Sequence, residues 1–266
     1  MRKVVAILCG MIATALVLAG CRTQPAGQSS PRIDTVENLA ASVALHTALK
    51  PSVHVVFAMA VAGQSLTGDG DGKLGARPAL RMTTSVPILG QLSFRLVENV
   101  MYLKLPVELV PGRPWMRIDP DGGDPISKEV GGGLRELRES GDLAQSLKRF
   151  EGAAVITAQR PEQLNGKPTT HYSITINVRK VSAAAQTGPV LKQIIDTALR
   201  AGVNTFPVEV WLDQEYLPAR TTTDIPIKNP ITQQDDHLNI SIDYSDWGKP
   251  VEISAPPPEQ VAGSPR

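Results

Sequence analysis

Residues 165–178 read "NGKPTTHYSITINV". Asn165-Gly166 is a two-residue turn signal, because both residue types tolerate the left-handed backbone that a tight hairpin demands. Beyond it, Tyr172, Ile174, Ile176 and Val178 alternate with Ser173, Thr175 and Asn177. A period of two gives one apolar face and one polar face, so His171–Val178 is predicted to be a half-buried strand. Ala154–Ala158 supplies its partner on the other side of the turn. A hairpin of this kind belongs to an antiparallel sheet with one face on the core.

The pattern extends outward. Downstream, Phe206–Leu212, Leu217–Ile227 and His237–Tyr244 read as strands. Before them, Leu191, Ile194, Ile195, Ala198 and Leu199 form a helical stripe that opens at Pro189 and ends at Gly202. Upstream, Val53, Val55, Phe57, Met59 and Val61 alternate with His54, Val56, Ala58 and Ala60. Short strands follow at Leu80–Val86, Gln91–Leu96, Met101–Leu105 and Trp115–Ile118. Turn signals punctuate them: "AGQS" near 62, "GDGDG" at 68–72, "ILGQ" near 89, "VENV" near 97 and "PDGGDP" at 120–125. A first helix is expected from Asp34, with Glu37 completing a capping-box variant and Pro51 stopping it. Val36, Leu39, Ala40, Val43 and Ala44 make its stripe. Further helical material, carrying Leu134, Leu137, Leu143, Leu147 and Phe150, separates the two groups of strands. There is no internal repeat. The order predicts an α+β fold: one large antiparallel sheet with helices on one face.

The N-terminus carries an address. Met1-Arg2-Lys3 is positive, Val4 to Leu18 is almost wholly apolar, and "LAGC" closes the run at Cys21. That is the layout of a secretory signal peptide over residues 1–20, too short to read as a membrane span. Small residues before a cysteine resemble the bacterial lipobox, in which the cysteine is lipidated, so Cys21 is the expected anchor. Two acyl chains on its thiol hold a protein stably at a membrane, each buried methylene contributing roughly 0.8 kcal/mol. Residues 21–33 are polar and rich in Pro, Gly and Ser, and read as a flexible lipidated tether. The predicted location is the extracytoplasmic face of the cell membrane. Residues 34–255 read as a single domain, and Pro256-Pro257-Pro258 opens a tail, 256–266, expected to be disordered.

Composition narrows the function. Loss of Arg2 and Lys3 with the signal peptide takes the net charge from +1 to −1, which excludes a basic nucleic-acid surface. Cys9 leaves with the same segment, so no disulfide within the chain is expected. Aromatic residues make up only 4%, a poor basis for stacking bases or sugars. Gly70-x-Gly72-x-x-Gly75 matches a dinucleotide fingerprint by letter but lacks the following helix, and reads as a hairpin turn. Asp69 and Asp71 lack the remaining ligands of a calcium loop; Asp119, Asp121 and Asp124 read as a solvated acidic turn. His46, His54, His171 and His237 show no metal-ligand spacing, and no G-x-S-x-G elbow is present. The sequence predicts no catalytic residue, no metal and no cofactor, and the chain is not expected to be an enzyme.

Three longer stretches carry a resemblance: "NVMYLKLP" followed by "PWMRID"; "GKPTTHYSITINV"; and "PVEVWLDQEYLPARTTTDIPI" closing with "LNISIDYSDWGKPVEISAPP". With the lipobox, they resemble the actinobacterial LppX/LprA/LprF/LprG-type lipoproteins, relatives of the LolA/LolB carriers. The resemblance covers roughly residues 35–255; the acidic, Gly-rich segment 120–133 departs from it. It implies a strongly curved antiparallel sheet, a LolA/LolB-like half-barrel, with helices on its concave face enclosing an apolar cavity. The implied function is to bind acylated lipids or glycolipids in that cavity and carry or present them across the cell envelope. The implied partners are such a lipid, the cytoplasmic membrane through the anchor, and a membrane transporter. The alternative is a non-catalytic envelope scaffold or sensor on the same fold, docking a membrane partner. Alternation nominates the cavity lining: Val55, Phe57, Met59, Leu92, Phe94, Leu96, Met101, Leu103, Ile174, Ile176, Val208, Val210, Ile240 and Ile242 from strands, with Val43, Ile194 and Ile195 from helices. A one-residue slip in register would turn any strand's set to the other face.

Overall fold

The computed structural model describes residues 32–61, 63–86, 90–108, 110–119, 121–123, 143–183, 189–228 and 234–262. The signal peptide, Cys21, the tether up to residue 31, and the helical pattern around Leu134 and Leu137 lie outside the described residues.

Helix α1 (Val36–Leu49) leads into a meander of six strands: β1 (Ser52–Val61), β2 (Gln64–Lys73), β3 (Ala79–Val86), β4 (Gly90–Val97), β5 (Val100–Lys104) and β6 (Trp115–Ile118). Helix α2 (Leu143–Arg149) precedes the hairpin β7 (Ala154–Leu164) and β8 (Lys167–Asn177). Helices α3 (Val178–Ser182) and α4 (Pro189–Arg200) follow, then β9 (Thr205–Leu212), β10 (Pro218–Lys228), β11 (Asp235–Ser245) and a two-residue β12 (Val261–Ala262). All twelve strands join one open sheet in the order β12-β6-β5-β4-β3-β2-β1-β11-β10-β9-β8-β7. Every pairing is antiparallel except that of β12 with β6.

The hairpin forms around the expected turn, but its second strand ends at Asn177: Val178, expected as the last strand residue, begins α3, capped by the Asn177 side chain accepting from the Lys180 N–H. Asn165 and Gly166 take φ of 51° and 75°, the left-handed pair that turns a twisted hairpin without splaying it. Glu98 and Asn99 turn β4 into β5 in the same way. One turn expectation is corrected. "GDGDG" at 68–72 is the middle of strand β2, paired on one side with β1 and on the other with β3. Gly70 lies so close to β3 that a Cβ there would overlap the Arg81 carbonyl oxygen. Glycine here is required by close backbone approach, not by a turn.

Three further expectations change. The cap of α1 is Thr35, not Asp34: its hydroxyl accepts from the Asn38 N–H at 3.1 Å, so Glu37 is not at the capping-box position. Ala44 is exposed, and Thr47 takes the next buried place on the helix, its hydroxyl returned to the Val43 carbonyl at 2.8 Å. The tail expected to be disordered from Pro256 is ordered through residue 262. Pro258–Gln260 makes one 3-10 turn, and Val261–Ala262 pairs with Trp115–Met116. The free edge of β6 offers backbone donors and acceptors that the sequence of a proline-rich tail does not reveal.

Candidate functional site

The register settles which side chains share a face. Directly opposed residues in an antiparallel pair lie on the same side of the sheet. One continuous row runs Met116–Leu103–Phe94–Met82–Gly70–Val55–Tyr244 from β6 to β11. The next runs Leu92–Thr84–Gly68–Phe57–Ile242–Thr221–Val210–Tyr172–Gln159 from β4 to β7. A third links Met59, Ile240, Thr223, Val208, Ile174 and Ile156. Leu96 and Met101 pair beside Leu80 and Ile118. Every strand-borne residue nominated from alternation therefore lies on this one inner face.

The helices cover that face unevenly. Val36, Leu39, Ala40 and Val43 of α1, Ala144 and Leu147 of α2, and Ile195 and Ala198 of α4 form one core with Tyr172, Ile174, Ile176, Phe206, Val210 and Leu212. Val43, Ile174, Ile176, Ile195 and Val210 are thus buried, and Met59, Ile194, Val208 and Ile240 pack against this core partly exposed. Leu96 and Met101 are buried outside it. Val55, Phe57, Leu92, Phe94, Leu103 and Ile242 are neither buried nor part of that core; with Met82 and Leu66 they leave the β1–β5 half of the apolar face partly open. Along β2 the face carries Gly68, Gly70 and Gly72; the Phe57 ring and the Met82 side chain lie where Cβ atoms at 68 and 70 would stand. Met82, Leu66 and the glycine strip are missed by alternation, because "GDGDG" has no apolar letter and reads as a turn.

The outer face is polar and cross-braced. Each ring nitrogen of His171 faces a glutamate: Nδ1 lies 2.8 Å from Glu162 Oε2, and Nε2 lies 2.6 Å from Glu209 Oε2. The Ser173 hydroxyl donates to Glu209 at 2.7 Å, and the Trp211 indole N–H donates to Glu162 at 3.3 Å while its ring stacks on His171 at 4.1 Å. Hydrogen bonds from His171 and Trp211, with the charges of His171 and Arg160, hold the Glu162 carboxyl below the usual carboxylate range. His54 and His237 contact Asp71 and Asp224 at 2.9 Å and 2.6 Å, and His46 contacts the Ser42 carbonyl at 2.7 Å. Each histidine thus has a structural partner. Among the described residues no cluster of His, Cys, Asp or Glu is arranged to hold a metal ion. Arg95 lies 4.8 Å above the Trp115 ring and donates to the Ser254 carbonyl at 3.1 Å, tying the C-terminal segment to this face.

Asp71 gives the outer face a measurable pH signature. Burial acts to raise its pKa, but hydrogen bonds from His54 and Arg81 and the Arg81 charge outweigh it and lower the value. A depressed carboxyl stabilises the fold above its unfolded pKa and loses that contribution as pH falls. Asp71→Asn is therefore expected to be less stable than wild type near neutral pH, and the gap is expected to close below about pH 4. Urea unfolding across this range checks it; a gap independent of pH would remove the charge from the account.

No protein-family model matches the chain. LprF of Mycobacterium tuberculosis, whose name describes a diacylated glycolipid transporter, is 25% identical over 273 residues, spanning 95% of this chain and 91% of LprF. LprF of Mycobacterium bovis matches equally. Among solved structures, the crystal structure of Mycobacterium tuberculosis lipoprotein LppX superposes with a TM-score of 0.50 at 16% identity, covering 82% of this chain and 98% of LppX. The fold defines a class: an open, mostly antiparallel sheet with a few helices, shared with a lipoprotein. Within that class, the chain is similar in sequence to LprF and in fold to LppX, as the motifs it carries lead one to expect.

Proposed function

We propose that this is a lipid-anchored envelope lipoprotein that binds acylated lipids or glycolipids between the inner sheet face and its helices, and carries or presents them across the envelope. In this reading residues 1–20 are the signal peptide, Cys21 bears the anchor, 21–33 are the tether and the domain from residue 34 holds the ligand. Its partners are the acylated ligand, the cytoplasmic membrane and a membrane transporter; no catalytic step is involved. One observation supports the reading above the others: a largely apolar inner face extends across the sheet, yet among the described residues only part of it is sealed by the helix-borne core. Exposed acyl chain costs about 25 cal/mol per Å², so several hundred Å² of tail cost on the order of 10 kcal/mol in water. An apolar face with room left on it removes that cost without specific chemistry. LprF and LppX agree with the same reading in kind.

Native mass spectrometry of the protein from its host's membranes tests it. The expected result is a co-purifying lipid with acyl chains. Phe94→Asp, on the half-open region, is expected to lower occupancy severalfold with little loss of stability. A protein recovered free of lipid, with Phe94→Asp indistinguishable from wild type, overturns the proposal.

A further inference from the structure

Resting on that reading, we infer that the outward face of α1 lies on the bilayer that holds the lipid anchor, and so turns the open part of the apolar sheet face toward the membrane. Helix α1 packs on the sheet through Val36, Leu39, Ala40, Val43 and Thr47. Its opposite side carries Ala41, Ala44, Leu45, Ala48 and Leu49, all exposed. Spacings of three and four residues put them in one stripe along the helix. Leu45 is 62% exposed and Leu49 74%. Beyond Asn38 every exposed position of α1 is Ala or Leu. The water-facing side of a surface helix is ordinarily polar, and an exposed apolar patch marks a contact. His46, beside the stripe, is tied back to the Ser42 carbonyl at 2.7 Å and to the Tyr216 ring at 5.0 Å. Lys50, past its end, pairs with Glu215 at 2.6 Å. The stripe itself carries no charge.

The occupant follows from what is tied to the helix. Residues 22–35 lead from Cys21 straight into α1. A flexible chain of that length has a root-mean-square span on the order of 20 Å. The anchor therefore holds α1 near the leaflet at high effective concentration, where a contact too weak to recruit a free protein is enough. A soluble partner has no such advantage. The chemistry agrees, since alanine and leucine without charge suit the acyl boundary of a bilayer and not its anionic headgroups. The orientation has a consequence for the ligand. Because α1 rests on the inner face, its outward side looks the same way as that face. Phe57, Met82, Leu92 and Phe94, on the part the core leaves open, then look toward the bilayer. Acyl chains can pass between leaflet and sheet with little of their surface meeting water.

The test uses the full-length acylated protein in phosphatidylcholine vesicles that contain a nitroxide-labelled lipid. With Cys9 removed and Cys21 acylated, an introduced cysteine is the free thiol and takes an NBD fluorophore. Leu45→Cys places the label on the stripe; Val155→Cys, 60% exposed on the outer face beside Thr175, is the control. The label at 45 is expected to be quenched severalfold more than the label at 155, equally in low and high salt. Adding Leu49→Glu is expected to bring it down to the control level without changing the melting temperature, because the side chain is exposed and a carboxylate resists the acyl boundary. Ala48→Cys gives a second labelling site if Leu45→Cys folds poorly. Quenching at 45 no stronger than at 155, or quenching lost in high salt, overturns the inference. A label at 45 that is shielded from water yet unquenched points to a second copy or another protein on the stripe, and overturns it too. Native mass spectrometry of the same preparation separates the two readings: co-purifying lipid with an unquenched label leaves lipid binding standing. A protein that does not stay with the vesicles overturns the anchor and this inference together.

Discussion

Gly70→Ala is expected to destabilise the protein by about 3 kcal/mol, while Gly72→Ala, two residues along the same strand and on the same face, is expected to be close to neutral. At position 70 the added methyl overlaps the Arg81 carbonyl oxygen and crowds the Met82 backbone. Those atoms belong to β3 and cannot retreat without breaking the pairing of Gly70 with Met82. At position 72 the nearest atoms are the Val53 and Leu80 side chains at 3.6 and 3.8 Å, an ordinary van der Waals contact. There the lost backbone freedom of the unfolded chain works in favour of alanine. Denaturant midpoints of the two variants measure the contrast. Equal losses would mean that general glycine flexibility, and not the approach of β2 to β3, explains the "GDGDG" strand. The contrast bears on function as well, since the strip of side-chain-free positions shapes the half-open apolar face.

Leu39→Ala is expected to cost a similar amount, about 3 kcal/mol, by leaving a cavity between α1 and the sheet. Leu39 is fully buried in the core that joins α1 to β8 and β9. Leu45, on the same helix, is 62% exposed, so Leu45→Ala is expected to change stability by less than about 0.5 kcal/mol. The pair isolates packing from helix propensity, which is alike for both replacements. Chemical unfolding followed by circular dichroism gives both numbers. If Leu39→Ala lost no more than Leu45→Ala, α1 would be a helix that stands beside the sheet without closing it. Because α1 covers the sealed half of the inner face, loosening it is also expected to raise the binding of a hydrophobic dye such as ANS.

Much of the polar cross-bracing gathers on the outer side of the sheet. His171, Glu162, Glu209, Ser173 and Trp211 brace β7, β8 and β9 from outside, and His54, Asp71 and Arg81 do the same for β1, β2 and β3. Cross-strand pairs on one face leave the other free of polar requirements. The inner face can then be largely apolar, with Thr84, Thr221, Thr223 and Gln159 among its few polar positions.

Period-two alternation was enough to indicate the antiparallel sheet, most of its strands and the face taken by the apolar residues it nominated. Side-chain direction along a strand is a local property, so Phe57, Phe94, Ile174 and Val208 could be placed from neighbours one and two residues away. The Asn165-Gly166 turn was legible for the same reason, because its φ values are set by residue type. Tertiary structure alone decided the rest. Whether "GDGDG" bends or pairs depends on β1 and β3 lying on either side of it. Whether Val261–Ala262 is loose or joined depends on an edge formed far away in sequence, at Trp115–Met116. Whether an apolar residue is sealed, like Ile174, or left half open, like Phe94, depends on where the helices come to rest. Burial and pairing across long separations are sums over partners that no local window contains.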